Sequence, residues 1–320
     1  MYIFGGETQF GDFNRARPTT ILLNDLCAFD LTTRTWEKCK SRGLQPPSMT
    51  GVTMVSHEDR LIVFGRYVTR ALPFCSNEEL YVYDLREMMW TCPKITFPWP
   101  SRMSGHTATV QGRVMVIFGG FHETECFLTG DIWCLDLDTL TWTKRESTGV
   151  EKTAMPRWKH YQFHLDHENL LIVGGENKED TFNDMWHLNM KSPVWTWREI
   201  PMRQTFNNRT KLTICSRACK IGQKLIIIGK NHSPMGKTEE LQSINVCDLS
   251  HVLDTSDPYA EWLTPHEIGT GIGMSPQDIK DIFHSSLVLG HGELIHFGGR
   301  INDPPLRPVH DKLHFIRPFF

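Results

Sequence analysis

Three histidines, His160, His164 and His167, stand close together in W-K-H-Y-Q-F-H-L-D-H, a spacing that invites a metal reading. The segment reads as a strand, so His160 and His164 share a face and lie about 13 Å apart at ~3.3 Å per residue. Two imidazoles that ligate one zinc ion each sit about 2.0–2.1 Å from it, so this pair is expected to be structural. Glu176, Asp180 and Asp184 form a second series, E-x-x-x-D-x-x-x-D. Carboxylates alone are a weak set for iron, which usually recruits imidazole as well. Asp184 is expected to make a hydrogen bond at the turn where a strand begins. Cys215 and Cys219 flank an extended step of about 13 Å, beyond disulfide reach, and read as plain thiols. No Ser-His-Asp order, nucleophile elbow, phosphate-cradling glycine loop or cofactor fingerprint is found. The G-T-G-I-G run at residues 269–273 does not join a strand to a helix. The expectation is therefore no catalytic residue, no cofactor and no metal, in a protein that is not an enzyme.

The bulk properties narrow the class further. The chain has 320 residues, 40% of them apolar and 22% charged, which suits a globular protein with a sizeable core. A net charge of −3 gives no electrostatic footprint for nucleic acid or an anionic membrane. No apolar run approaches the ~18 residues that span a bilayer. Nine cysteines, scattered without a C-x-x-C pair, suit reduced thiols in cytoplasm or nucleus.

What must position any site is a repeat. Residues 113–120 read R-V-M-V-I-F-G-G, and residues 131–142 read D-I-W-C-L-D-L-D-T-L-T-W. The same device returns along the chain, with its glycine step at Gly5, Gly65, Gly119, Gly174, Gly229 and Gly298. Six units follow, at about 1–48, 49–101, 102–155, 156–210, 211–280 and 281–320. Each complete unit predicts four short strands: one of G-H-T-A-T-V type, one that ends in glycine, one that carries acids, and one around a tryptophan. Helical periodicity is nearly absent, apart from one capped turn expected after Ser275-Pro276. A single such sheet cannot bury both faces, whereas radial stacking buries each against the next. The fold expected is all-β, a six-bladed propeller formed by residues 1–320. Trp36, Trp90, Trp142, Trp197 and Trp262 recur at one place in each unit and are expected to be core between blades. The first unit lacks an innermost strand and the last an outermost one, so the ring is expected to be incomplete at the N-terminus.

These features resemble kelch repeats: the double glycine, the N-D-x-W or Y-x-x-D strand and the spaced tryptophan. The resemblance covers essentially the whole chain. A narrower one, to the F-box/kelch family, rests on F-N-D-M-W-H-L-N-M-K-S-P-V-W-T-W (residues 182–197) and on M-Y-I-F-G-G-E-T-Q with N-D-L at the start. A-C-K-I-G-Q (218–223) and G-E-L-I-H-F-G-G (292–299) support it. The resemblance implies a substrate-recognition propeller of a Skp1–cullin–F-box ubiquitin ligase. This sequence contains no F-box, and an inner strand and an F-box are expected upstream of Met1. Plant kelch specifier proteins carry an iron-binding E-x-x-x-D-x-x-x-H, but the third position here is Asp184. The alternatives are a kelch scaffold or cytoskeleton-binding protein and, less favoured, a metal-dependent kelch enzyme.

Function is then expected on one rim, where two sets of loops emerge around the central pocket and kelch receptors bind peptides. The loops after the glycine strands contribute Arg66, Arg70, His122, Glu123, Lys178, Lys230, Lys237, Arg300 and Arg307. The loops between units contribute Trp99, Arg157, Trp158 and Arg203. Tryptophan and arginine are enriched among binding anchors, and loops on a rigid scaffold are where function concentrates. The partner expected there is a protein target.

Overall fold

The structure is a computed structural model that describes residues 1–10, 19–65, 80–95, 97–204, 211–232, 242–263, 282–283, 286–298, 300–301 and 313–316. Among them every regular element is a β-strand. The helical turn expected near residue 276 and the 269–273 loop lie outside the described residues.

The third unit shows how the pattern folds. Thr107–Gln111, Val114–Phe118, Ile132–Asp136 and Thr141–Arg145 pair antiparallel in chain order from the inside outward. Asp136 closes the outer hairpin, because its Oδ1 accepts from the backbone N–H of Asp138 and Thr139. Asp30 and Asp84 do the same in the preceding units. These bonds favour the ionised form and hold the Asp30 and Asp136 carboxyls below their ordinary pKa.

The glycine strands of units two to four are buried on both faces, which explains their unbroken apolar runs. Met115 and Ile117 of Val114–Phe118 face the second unit, where they meet Ile62, Phe64, Leu80 and Val82. Val116 and Phe118 face the fourth unit and meet Leu170, Ile172, Trp186 and Trp197. Comparable clusters join units one to two, four to five and five to six. Trp90, Trp142 and Trp197 are buried in these seams, as expected. Trp36 corrects the expectation, since it is 41% exposed. It sits where the last sheet meets the first, against Phe29 and Phe297. Phe315 and Glu293 of the last sheet also engage Arg34. The first and last units therefore pack on each other, and each is a three-stranded sheet among the described residues.

Two further devices tie neighbours together. On the inner strands, His106 Nε2 meets Thr53 Oγ1 at 2.9 Å, and one unit later His160 Nε2 meets Thr107 Oγ1 at 2.6 Å. Burial depresses the His106 pKa to about 3 and that of His160 well below its usual value. The unfolded chain therefore takes up protons first as pH falls below about 6.5, and the native state loses stability from there down to about 3. At pH 5 the loss expected from His106 alone is about 2 kcal/mol. Urea midpoints at pH 7 and pH 5 check this, and H106Q should flatten the dependence.

The second device is a short parallel strand from three of the linkers between units. Arg42–Gly43, Ser147–Gly149 and Met202–Gln204 add to the outer edges of the second, fourth and fifth sheets. In each case the seventh residue after one tryptophan pairs with the next unit's tryptophan: Gly43 with Trp90, Gly149 with Trp197 and Gln204 with Trp262.

Candidate protein-interaction rim

The double glycine sets the geometry at the top of the third and fourth sheets. The backbone turns out of the strand at Gly119 (φ 65°) and Gly120 (φ 104°). A Cβ on Gly119 would lie 2.5 Å from the Arg157 carbonyl oxygen of the next unit. The chain then forms a small second tier. Phe121–His122 pairs antiparallel with Phe127–Leu128 and with Met103–Ser104. The fourth unit repeats this in reduced form, with Glu176 bridged to Trp158 and Thr181.

These tiers bring one contiguous patch together across units three and four. The rings of Phe121 and Trp158 are 5.7 Å apart. The Lys159 ammonium lies 4.6 Å from the Trp158 ring centroid and 2.6 Å from Glu176 Oε1. Lys178 reaches over Phe121 and donates to the Cys126 carbonyl. The Ser104 hydroxyl donates to Glu123 Oε1 at 2.5 Å, and burial raises the Glu123 pKa despite that bond. His122 is buried beneath Phe127, and burial depresses its pKa. Half-buried aromatics held by lysines and carboxylates offer apolar area, donors and acceptors to a polypeptide surface.

Several of the residues proposed from sequence stand elsewhere. Arg157 is 0% exposed and cannot meet a partner directly. Its Nη1 and Nη2 bond Asp184 Oδ1 and Oδ2 at 2.6 and 2.9 Å, Nη1 bonds the Gly174 carbonyl, and Nε bonds that of Met155. Arg203 lies on the outer edge of the fifth sheet, not in a rim loop, with its guanidinium on Asp257 and over Tyr259. Lys230 continues the strand Lys224–His232, and Arg300 begins the strand Arg300–Ile301, so neither backbone is loop. Trp99 packs partly buried on the core between units two and three. Arg66, Arg70, Lys237 and Arg307 lie outside the described residues. Trp158 and Lys178 are brought together through Phe121, whereas Glu123 is held by Ser104 and His122 is a buried strand residue, not an exposed loop residue as expected. Phe121, Lys159 and Glu176 complete the patch. Phe121 follows the double glycine directly and Lys159 follows Trp158, so their place in the repeat was the available signal.

The chemically suggestive series do not converge. His160 serves Thr107, and exposed His167 lies beside Glu168. Glu176 pairs with Lys159, while Asp184 takes Arg157 and the Trp186 indole N–H, more than the single turn bond expected. Cys219 is buried and its pKa is pushed up to about 11, which makes it a poor nucleophile. Among the described residues no group of three or more His, Cys, Asp or Glu is placed to hold a metal ion.

Repeated antiparallel sheets packed face to face, with glycine exits and a loop rim, define a kelch β-propeller, a protein-interaction domain. The model of the FBX42 β-propeller domain family matches residues 1–197, more than half of the chain, and the chain belongs to that family. It is also similar to human Kelch domain-containing protein 3, with 29% identity over 325 residues, 80% of this chain and 81% of that protein. Arabidopsis thaliana Acyl-CoA-binding domain-containing protein 4 is 26% identical over 206 residues, 61% of this chain and 28% of that protein. Rice (Oryza sativa subsp. japonica) Adagio-like protein 3 is 27% identical over 286 residues, 86% of this chain and 42% of that protein. The chain thus spans well under two thirds of the Arabidopsis and rice relatives.

Proposed function

We propose that this propeller holds protein targets for ubiquitination, as the recognition part of a Skp1–cullin–F-box ligase acting in cytoplasm or nucleus. The observation that carries the reading is membership of the FBX42 β-propeller family over residues 1–197. The patch of Phe121, Trp158, Lys159 and Lys178 supplies a surface of the right kind for a target. Skp1 and a cullin would be engaged through an F-box that is not in this chain, and the propeller itself performs no chemistry. Affinity purification of the full-length gene product is expected to recover Skp1 and a cullin together. Recovery of neither would overturn the ligase role and leave a kelch scaffold.

A further inference from the structure

The outer edge of the third sheet differs from its neighbours. Linker strands cover the tryptophan strands of the second, fourth and fifth sheets, but among the described residues no strand pairs with the outer edge of Thr141–Arg145. The reason is written in the linker. In the second and fourth sheets the residue after the pairing position donates its N–H to the tryptophan carbonyl: Leu44 to Trp90 and Val150 to Trp197. By the same count of seven from Trp90, the pairing position for Trp142 is Phe97, and the donor position is Pro98. Proline has no N–H to give. Glycine is not the sole residue that fits the pairing position, since Gln204 pairs there in the fifth sheet. Phe97 is instead 81% exposed, with its ring edge-on to Trp99.

An uncovered edge presents a row of backbone donors and acceptors to another chain. Trp90 and Trp197 direct their carbonyls outward to the linker strands, so Trp142 does the same. Strand periodicity then points the Lys144 N–H outward as well. The strand carries Lys144 and Arg145 and no acid. Lys144 reaches Asp131, while Arg145 lies over the Trp195 ring. The segments seated on the matching edges show what fits. Both Gly43-Leu44 and Gly149-Val150 read glycine then apolar, and the second is flanked by Glu146 and Glu151.

We propose that the outer edge of the third sheet, at Trp142 and Lys144 beside Phe97, docks an extended segment of a partner protein as a parallel fifth strand. The segment has a glycine opposite Trp142, an apolar residue next whose N–H reaches the Trp142 carbonyl, and acidic flanks for Lys144 and Arg145. This is strand addition, in which backbone bonds supply affinity and flanking side chains supply selectivity. It is separate from the rim and does not rest on the ligase reading.

The test uses the whole chain and a labelled peptide Glu-Ser-Thr-Gly-Val-Glu, read by fluorescence anisotropy. Saturable binding is expected, with slowed amide exchange at Lys144. K144P removes the outward N–H but leaves the inner ladder, as proline is tolerated on edges that face solvent. It should weaken binding about tenfold, the loss of one backbone hydrogen bond, whereas K144A should leave it within about twofold, as expected of an exposed ion pair. P98V restores the missing donor, lets the chain's own linker cover the edge, and should abolish binding without lowering the melting temperature. This second variant decides the matter if K144P fails to fold. Absence of binding to the wild type, equal loss in K144A and K144P, or full binding by P98V would overturn the proposal. So would a wild-type dimer that K144P converts to monomer, since a second copy would then occupy the edge.

Discussion

Replacing Asp184 by alanine is expected to destabilise the protein by about 3–5 kcal/mol, the cost of leaving a buried charge without its partner. Arg157 has no exposure to water, and both its terminal nitrogens are bound to the Asp184 carboxylate. Its remaining partners, the carbonyls of Met155 and Gly174, are neutral. The ring of Phe182 lies 4.3 Å from the guanidinium carbon and closes one face. The Trp186 indole N–H would lose its acceptor too. The double variant with R157A should be less damaged than the sum of the singles, because the stranded charge is then gone. Urea unfolding of the four proteins measures that coupling. If D184A unfolded at the wild-type midpoint, the Arg157–Asp184 pair would have no part in positioning the rim. Trp158 follows Arg157 directly in the chain, so the D184A variant should also disturb the contact between Phe121 and Trp158. Trp158 fluorescence provides a second readout.

The second large effect is expected at Gly120. Its φ of 104° lies where side chains are rarely tolerated, and a Cβ would stand 2.9 Å from His106 Cβ and 3.1 Å from the Ser104 carbonyl oxygen. Backbone strain of about 1–3 kcal/mol and overpacking of about 1–3 kcal/mol act together in G120V. Gly112 is the matched control. It also has a positive φ, of 57°, but nothing within 4 Å of a Cβ. G112V should therefore lose only the left-handed penalty, about 1–2 kcal/mol. Thermal or urea unfolding that ranks G120V no lower than G112V would refute the role assigned to the glycine pair in packing the strand exit on its own sheet.

The repeat was legible because the central units bury their glycine strands on both faces, which forces apolar runs, and in the third and fourth the chain then leaves the strand abruptly, which selects glycine. Trp90, Trp142 and Trp197 were legible for the same reason, since a recurring large plate is a packing element. Trp36 was not. Its position in the unit matches theirs, but its neighbour is the last sheet of the chain, and contact between chain ends leaves no local pattern. His160 is structural, as expected, but its partner was not legible for the same reason: Thr107 lies 53 residues earlier.

The rim separates the two sources of information most clearly. Sequence alone determined that the chain is all-β and that it repeats as a kelch propeller, and it set the expectation of function on loops between repeating strands. Those features depend on residue periodicity and backbone freedom, which are local. Only the tertiary structure decided which loop residues are available. Arg157 and Trp158 are adjacent in the chain and look equally suited to bind. One is locked in the interior by Asp184, 27 residues away, while the other packs with a tilted ring against Phe121 from the neighbouring unit. A side chain's accessibility depends on what the fold brings to it from elsewhere, and those distances are not encoded in any single repeat.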